Sequence, residues 1–123
     1  MTTENFAGNV VEDIAGGTDG AVERFFAACT VADLTEGEPH KVVVNEITVA
    51  LVLSEGEIYA INDTCSHGQV SLAEGEVEGC LLECWLHGSQ FDLRNGRPVS
   101  LPATDPVPVY PVKVEDATVF VRI

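Results

Sequence analysis

Apolar residues along this chain fall in short runs, many of them β-branched, divided by Gly, Asn, Asp and Pro. Arg24-Phe25-Phe26-Ala27-Ala28-Cys29-Thr30 reads as a first strand, followed by a breaker-rich turn over residues 33–39. Lys41-Val42-Val43-Val44 and residues 47–53 are β-branched runs split by Asn45-Glu46, as a tight hairpin would be. Ser54-Glu55-Gly56 turns the chain again, and Glu57-Ile58-Tyr59-Ala60-Ile61 follows. Residues 70–79 hold two Glu-Gly turns, Leu81-Leu82-Glu83 is a short strand, and Gln90-Phe91-Asp92-Leu93 is extended. Asn95-Gly96 carries the type I′ hairpin signal. Prolines at 98, 102, 106, 108 and 111 make the next stretch irregular or extended. Residues 110–114 and 118–123 close a hairpin around Glu115-Asp116. Strands this short and closely spaced predict an antiparallel all-β core.

Residues 1–23 carry Gly8, Gly16, Gly17 and Gly20, the acids Glu4, Glu12, Asp13, Asp19 and Glu23, and no base. They are expected to form a flexible acidic N-terminal extension before a single domain over 24–123. A chain of 123 residues with 46% hydrophobic content can bury a modest core without disulfides. No apolar run approaches the ~18 residues of a membrane span, and the opening Met1-Thr2-Thr3-Glu4-Asn5 lacks a signal-peptide pattern. The expectation is a cytoplasmic monomer with no membrane partner.

Charge adds a constraint on partners. Twenty acids against six bases give a net charge of −14. From Val42 to Leu93 there is no Lys or Arg, while Glu46, Glu55, Glu57, Asp63, Glu74, Glu76, Glu78, Glu83 and Asp92 are acidic. Such a field repels nucleic acid and anionic membranes and steers the chain toward basic protein surfaces. The plain alternative is a charge that serves solubility alone.

The same stretch holds the chemistry. Cys65-Ser66-His67 and Cys84-Trp85-Leu86-His87 each supply one sulfur and one imidazole. Two thiolates and two imidazoles can hold one metal ion or one small cluster. A single tetrahedral zinc would favour like ligands paired on a turn and a helix. Modules that mix the two ligand types suit a two-iron site, with both cysteines on one iron and both histidines on the other. Cys29 and Cys80 are left over; in a reducing cytosol they are expected to be free, buried, small hydrophobes.

Cys65-Ser66-His67-Gly68 and Cys84-Trp85-Leu86-His87-Gly88-Ser89-Gln90-Phe91-Asp92 together resemble the Rieske motif. From about residue 25 to 123 the chain resembles a bacterial Rieske-type ferredoxin of multicomponent aromatic-ring dioxygenases. The resemblance implies a Rieske-type antiparallel β-sandwich with a small cluster-binding subdomain and one [2Fe-2S] cluster. Cys65 and Cys84 would bind the inner iron, and His67 and His87 the outer one. Pro102-Ala103-Thr104 looks like the family's proline loop, which covers the third side of the cluster. Respiratory Rieske proteins add a disulfide between the ligand loops and a tyrosine hydroxyl on a ligand sulfur. Those places are held here by Val70, Leu86 and Phe91, while Ser89 is kept, so the resemblance points to the low-potential ferredoxin type.

An active oxygenase would need a further 2-His-1-carboxylate iron site, and only His40 remains to supply one. The chain is therefore expected to carry electrons without catalysing a reaction itself. The implied partners are a flavin-dependent ferredoxin reductase and a terminal Rieske oxygenase. The competing reading is a regulatory protein that uses the same cluster to sense redox state or iron.

Overall fold

The computed structural model describes residues 24–123; the expectation for residues 1–23 lies outside them. Ten strands in antiparallel sheets and two single-turn 3₁₀ helices, Val31–Asp33 and Leu72–Glu74, make up the regular structure of this part. In chain order the strands are β1 (Phe25–Thr30), β2 (His40–Val44), β3 (Ile47–Ser54), β4 (Glu57–Asn62), β5 (Glu76–Glu78), β6 (Leu81–Glu83), β7 (Gln90–Asp92), β8 (Val109–Tyr110), β9 (Val112–Glu115) and β10 (Thr118–Arg122). They form three sheets, ordered β9-β10-β1, β2-β3-β4-β8 and β5-β6-β7. Among the described residues no helix is long and apolar enough to cross a membrane.

The middle sheet is covered on both sides, and β3 shows why. Successive side chains of a strand point to opposite faces. Val49 and Leu51 enter one core with Val44, Ala60, Val119 and Val121, between the first two sheets. Ala50 and Val52 enter the other, with Ile61, Leu82 and Phe91, beneath the small sheet. All four of these β3 residues are fully buried. Hiding a side chain such as Leu51 contributes roughly 1.5–3 kcal/mol, so one strand welds the sandwich to the subdomain. Both candidate cysteines lie in this second core.

Three hairpins turn in two residues with both φ angles positive: Asn45-Glu46 (49°, 68°), Glu55-Gly56 (55°, 84°) and Asp116-Ala117 (52°, 65°). That is the type I′ geometry that matches strand twist. The last of these lies one residue beyond the predicted centre, because Glu115 pairs with Thr118.

Asn95-Gly96 does not form the two-residue turn predicted for it. Asp92 N–H bonds Arg97 O, leaving residues 93–96 as a four-residue loop in which Gly96 takes a positive φ of 79° and Asn95 does not. The Asp92 carboxylate sets this loop by accepting the Arg94 N–H at 2.8 Å and the Arg94 guanidinium at 3.0 and 2.8 Å. These bonds hold the Asp92 carboxyl below its usual range.

Residues 110–114 are likewise not one strand. Pro111 has no N–H for a ladder, and the chain changes sheets there. Val109–Tyr110 pairs with β4, and Val112–Glu115 pairs with β10. The short strand Glu76–Glu78, read from the sequence as part of a turn region, pairs with β6.

Candidate metal centre

Two loops of the same design stand at one end of the subdomain. In the first, Cys65 N–H bonds Val70 O at 2.9 Å and Gln69 N–H bonds Cys65 O at 3.0 Å. In the second, Cys84 N–H bonds Ser89 O at 2.7 Å and Gly88 N–H bonds Cys84 O at 3.0 Å. The fifth residue of each loop, Gln69 or Gly88, has a positive φ (56° and 82°) that closes the turn. The cysteine thus occupies the same position in both loops, and the histidine comes two or three residues later.

Each loop is anchored at its base. β6 delivers Cys84, and β7 leaves directly after Ser89. The first loop follows β4 through Asp63, which is buried. Asp63 accepts the Ala73 N–H through its carboxylate at 2.8 Å and the Leu72 N–H through its carbonyl at 2.6 Å. Lys41 Nζ lies 3.8 Å from the same carboxylate. The two loops also touch each other. A Cβ on Gly68 would stand 2.7 Å from Leu86 Cδ2, so an apolar contact joins the loops.

The donors sort by type. Cys65 and Cys84 are fully buried neighbours in the core. Burial pushes the Cys84 thiol up, the Leu86 and His87 N–H groups pull it down, and Cys65 pushes it up again. The imidazoles sit on the outer side, His67 half-buried and His87 exposed. Their ring centroids are 4.7 Å apart in an edge arrangement, with His87 Nδ1 3.3 Å from His67 Nε2. Among the described residues no three His, Cys, Asp or Glu side chains gather as for a single ion. Sulfurs paired inside and nitrogens paired outside suit two irons better than one zinc.

A third segment closes over the loops. Ala103 N–H donates to Ser89 Oγ at 2.9 Å, and both residues are buried. Ser66 Oγ donates to Asp105 O at 2.6 Å. The proline segment is therefore pinned once to each ligand loop. The resemblance had marked Ser89, whereas Ser66 and Asp105 gave no sequence signal, since their bond spans 39 positions. As the acceptor of the Ala103 N–H, Ser89 keeps its own hydroxyl hydrogen to donate.

The remaining candidates lie elsewhere. Cys29 is on β1 of the sandwich, half-buried, its thiol pushed up to about 11 chiefly by burial. Cys80 sits at the β5–β6 turn, 3.5 Å from the Tyr59 hydroxyl and at the other end of β6 from Cys84. Both are free thiols. His40 lies on β2 opposite Leu51.

Fold and side-chain arrangement together give a small β-protein with two buried cysteines and two outer histidines presented by paired loops. The model of the Rieske [2Fe-2S] domain matches residues 24–111, and the chain belongs to that family. The family's cofactor is one Rieske-type [2Fe-2S] cluster. The chain is 46% identical over 97 residues to the 3-phenylpropionate/cinnamic acid dioxygenase ferredoxin subunit of Escherichia coli K12, covering 78% of this chain and 91% of that one. The ferredoxin of carbazole 1,9a-dioxygenase from Nocardioides aromaticivorans IC177 superposes with a TM-score of 0.76 at 32% identity, over 79% of this chain and 95% of that one. A chain from the complex of reduced oxygenase and oxidized ferredoxin in carbazole 1,9a-dioxygenase gives 0.72 at 35% identity, over 77% and 98%.

Proposed function

We propose that Cys65 and Cys84 hold one iron of the cluster and His67 and His87 the other, and that the chain carries single electrons from a flavin-dependent reductase to a terminal oxygenase. The observation that carries this reading is the sorting of the donors, sulfurs buried and imidazoles at the surface. When bound, a cluster with this ligand set supplies a one-electron couple at roughly −150 to +300 mV, against roughly −400 mV for plant-type all-cysteine centres.

The chain's own residues do the rest. The Leu86 and His87 N–H groups favour a charged sulfur on Cys84. Ser89 and the pinned proline segment keep water from the cysteine side. The exposed imidazole edge is where a partner can approach closest. Oxygen chemistry is assigned to that partner.

Mixing the oxidised holoprotein with the reductase of an aromatic-ring dioxygenase, and then with the oxygenase, tests the carrier role by stopped flow. One-electron reduction and reoxidation are expected in turn. Both association rates should fall as ionic strength rises from 0.01 M, where charges act over ~30 Å, to 0.15 M, where they act over ~8 Å. A cluster that reduces chemically but exchanges electrons with neither protein would refute the carrier reading.

A further inference from the structure

Away from the ligand loops, one groove runs against the charge of the whole chain. It holds about 640 Å³, and its wall includes Tyr59, Leu93, Arg94, Val109, Tyr110 and Arg122. Among the described residues no carboxylate lines it. Two of the chain's six bases thus face one groove in a protein of twenty acids.

The groove follows the seam of the fold. Tyr59 and Val109 pack on the core beneath the small sheet, and Tyr110 packs on the core between the other two. Arg122 comes from β10, and Leu93 and Arg94 from the loop after β7, so parts of all three sheets border it. Its floor is apolar and its guanidiniums are held in place. Arg94 donates to Asp92 at 3.0 and 2.8 Å, and Arg122 lies over the Phe25 ring at 5.9 Å. A guanidinium has five N–H donors, so Arg94 keeps some beyond those Asp92 takes.

Such a groove fits an apolar stretch of chain interspersed with acids. Residues 1–23 have that composition: Phe6, Val10, Val11 and Ile14 stand among Glu4, Glu12 and Asp13, with no base in the segment. They also start from the right place. Phe25 pairs with Arg122, and the Ile123 N–H bonds Arg24 O at 3.2 Å, so the segment joins the domain beside the groove's own arginine. Attachment that close gives an effective concentration on the order of millimolar, which a free partner would have to match.

We propose that residues 6–14 lie along this groove as a strap, with Val10, Val11 and Ile14 on its apolar floor and Glu12 and Asp13 at Arg94 and Arg122. The strap ties the sandwich to the loop that follows β7, and so holds the ligand-bearing subdomain against its base.

Amide hydrogen exchange of the full-length holoprotein, read by mass spectrometry, tests this. Relative to intrinsic rates, residues 6–14 should exchange about tenfold more slowly in the wild type than in Val10→Ser/Val11→Ser/Ile14→Ser. The triple variant should also exchange faster over residues 93–97 and 109–112, the two stretches of groove wall. Glu12→Gln/Asp13→Asn should lose part of the protection. Sodium chloride at 1 M, which cuts the reach of charges to ~3 Å, should take a similar part from the wild type. All of these substitutions lie before residue 24, so the domain that carries the proposed ligands is left unaltered. Equal exchange over residues 6–14 in wild type and triple variant would overturn the proposal. Protection of the segment with no change in the groove wall would place it elsewhere and overturn the groove. Protection that rises with protein concentration, beside a dimer in sedimentation, would give the groove to a second copy's segment and overturn the strap.

Discussion

Cys84→Ser is expected to give a folded or partly folded chain without its cluster, containing almost no iron or acid-labile sulfide and no visible colour. The position has no substitute donor. Its sulfur is fully buried beside Cys65, and the loop that presents it is closed by bonds from its own N–H and carbonyl. A serine hydroxyl is a far poorer metal ligand than a thiolate, because it does not ionise near neutral pH. Burial makes the replacement worse, since the uncharged hydroxyl would be left facing a metal in a dry pocket. Cys80→Ser is the matched control, a cysteine four positions away in sequence but at the far end of β6. It should lose only its contact with Tyr59 and retain a full complement of iron. Equal loss of iron from both variants would contradict the ligand assignment.

The second large effect lies in the scaffold. Gly96→Ala is expected to destabilise the domain by about 2–5 kcal/mol, combining two costs. Gly96 has φ +79°, a region that costs a residue with a side chain roughly 1–2 kcal/mol. A Cβ there would also fall 1.9 Å from Val107 O and 3.1 Å from Val107 C. Those are backbone atoms in the segment whose Val107 N–H bonds Gly96 O at 2.9 Å, so neither side can yield alone. Overpacking of this kind adds about 1–3 kcal/mol. The loss is a large share of the roughly 5–15 kcal/mol that holds a domain together. Gly37→Ala carries the backbone cost alone, because Gly37 has the same φ of +79° with nothing within 4 Å of the added carbon. Denaturant titration of both variants should show Gly96→Ala to be the more costly by at least about 1 kcal/mol. Equal losses would mean that the contact with Val107 carries no weight.

How far the sequence could be read depended on the range of each interaction. The four candidate donors stood out because a mixed cysteine–histidine module repeated in one chain constrains chemistry strongly. β3 was legible because burial on both faces turns it into a continuous β-branched run. Glu76–Glu78 was not, since Val77 is its one apolar residue and its pairing with β6 is set by the neighbouring core. Asn95-Gly96 misled because a local turn preference lost to Asp92, whose carboxylate organises a longer loop from two residues upstream. The division of residues 110–114 depended on two different partner strands, which no local pattern reveals. Gln69 adopts a left-handed backbone without being glycine, and only the equivalent position of Gly88 in the second loop explains it. The concentration of acids around the ligand loops was readable as charge. Which acids meet Trp85 was not: Glu83 joins Glu74 and Glu76 beside it across the β5–β6 ladder, and Glu78 does not.

The central claim is that two histidines ligate one iron of a [2Fe-2S] cluster in this chain. Electron paramagnetic resonance of the reduced protein, prepared with ¹⁵N-labelled histidine and read for nitrogen couplings, tests it most directly. The account predicts an average g-value below that of all-cysteine clusters and two strongly coupled histidine nitrogens, one of which disappears in His87→Cys or His67→Cys. A signal of the all-cysteine type with no directly coupled histidine nitrogen, or an iron-free protein holding one zinc, would contradict it.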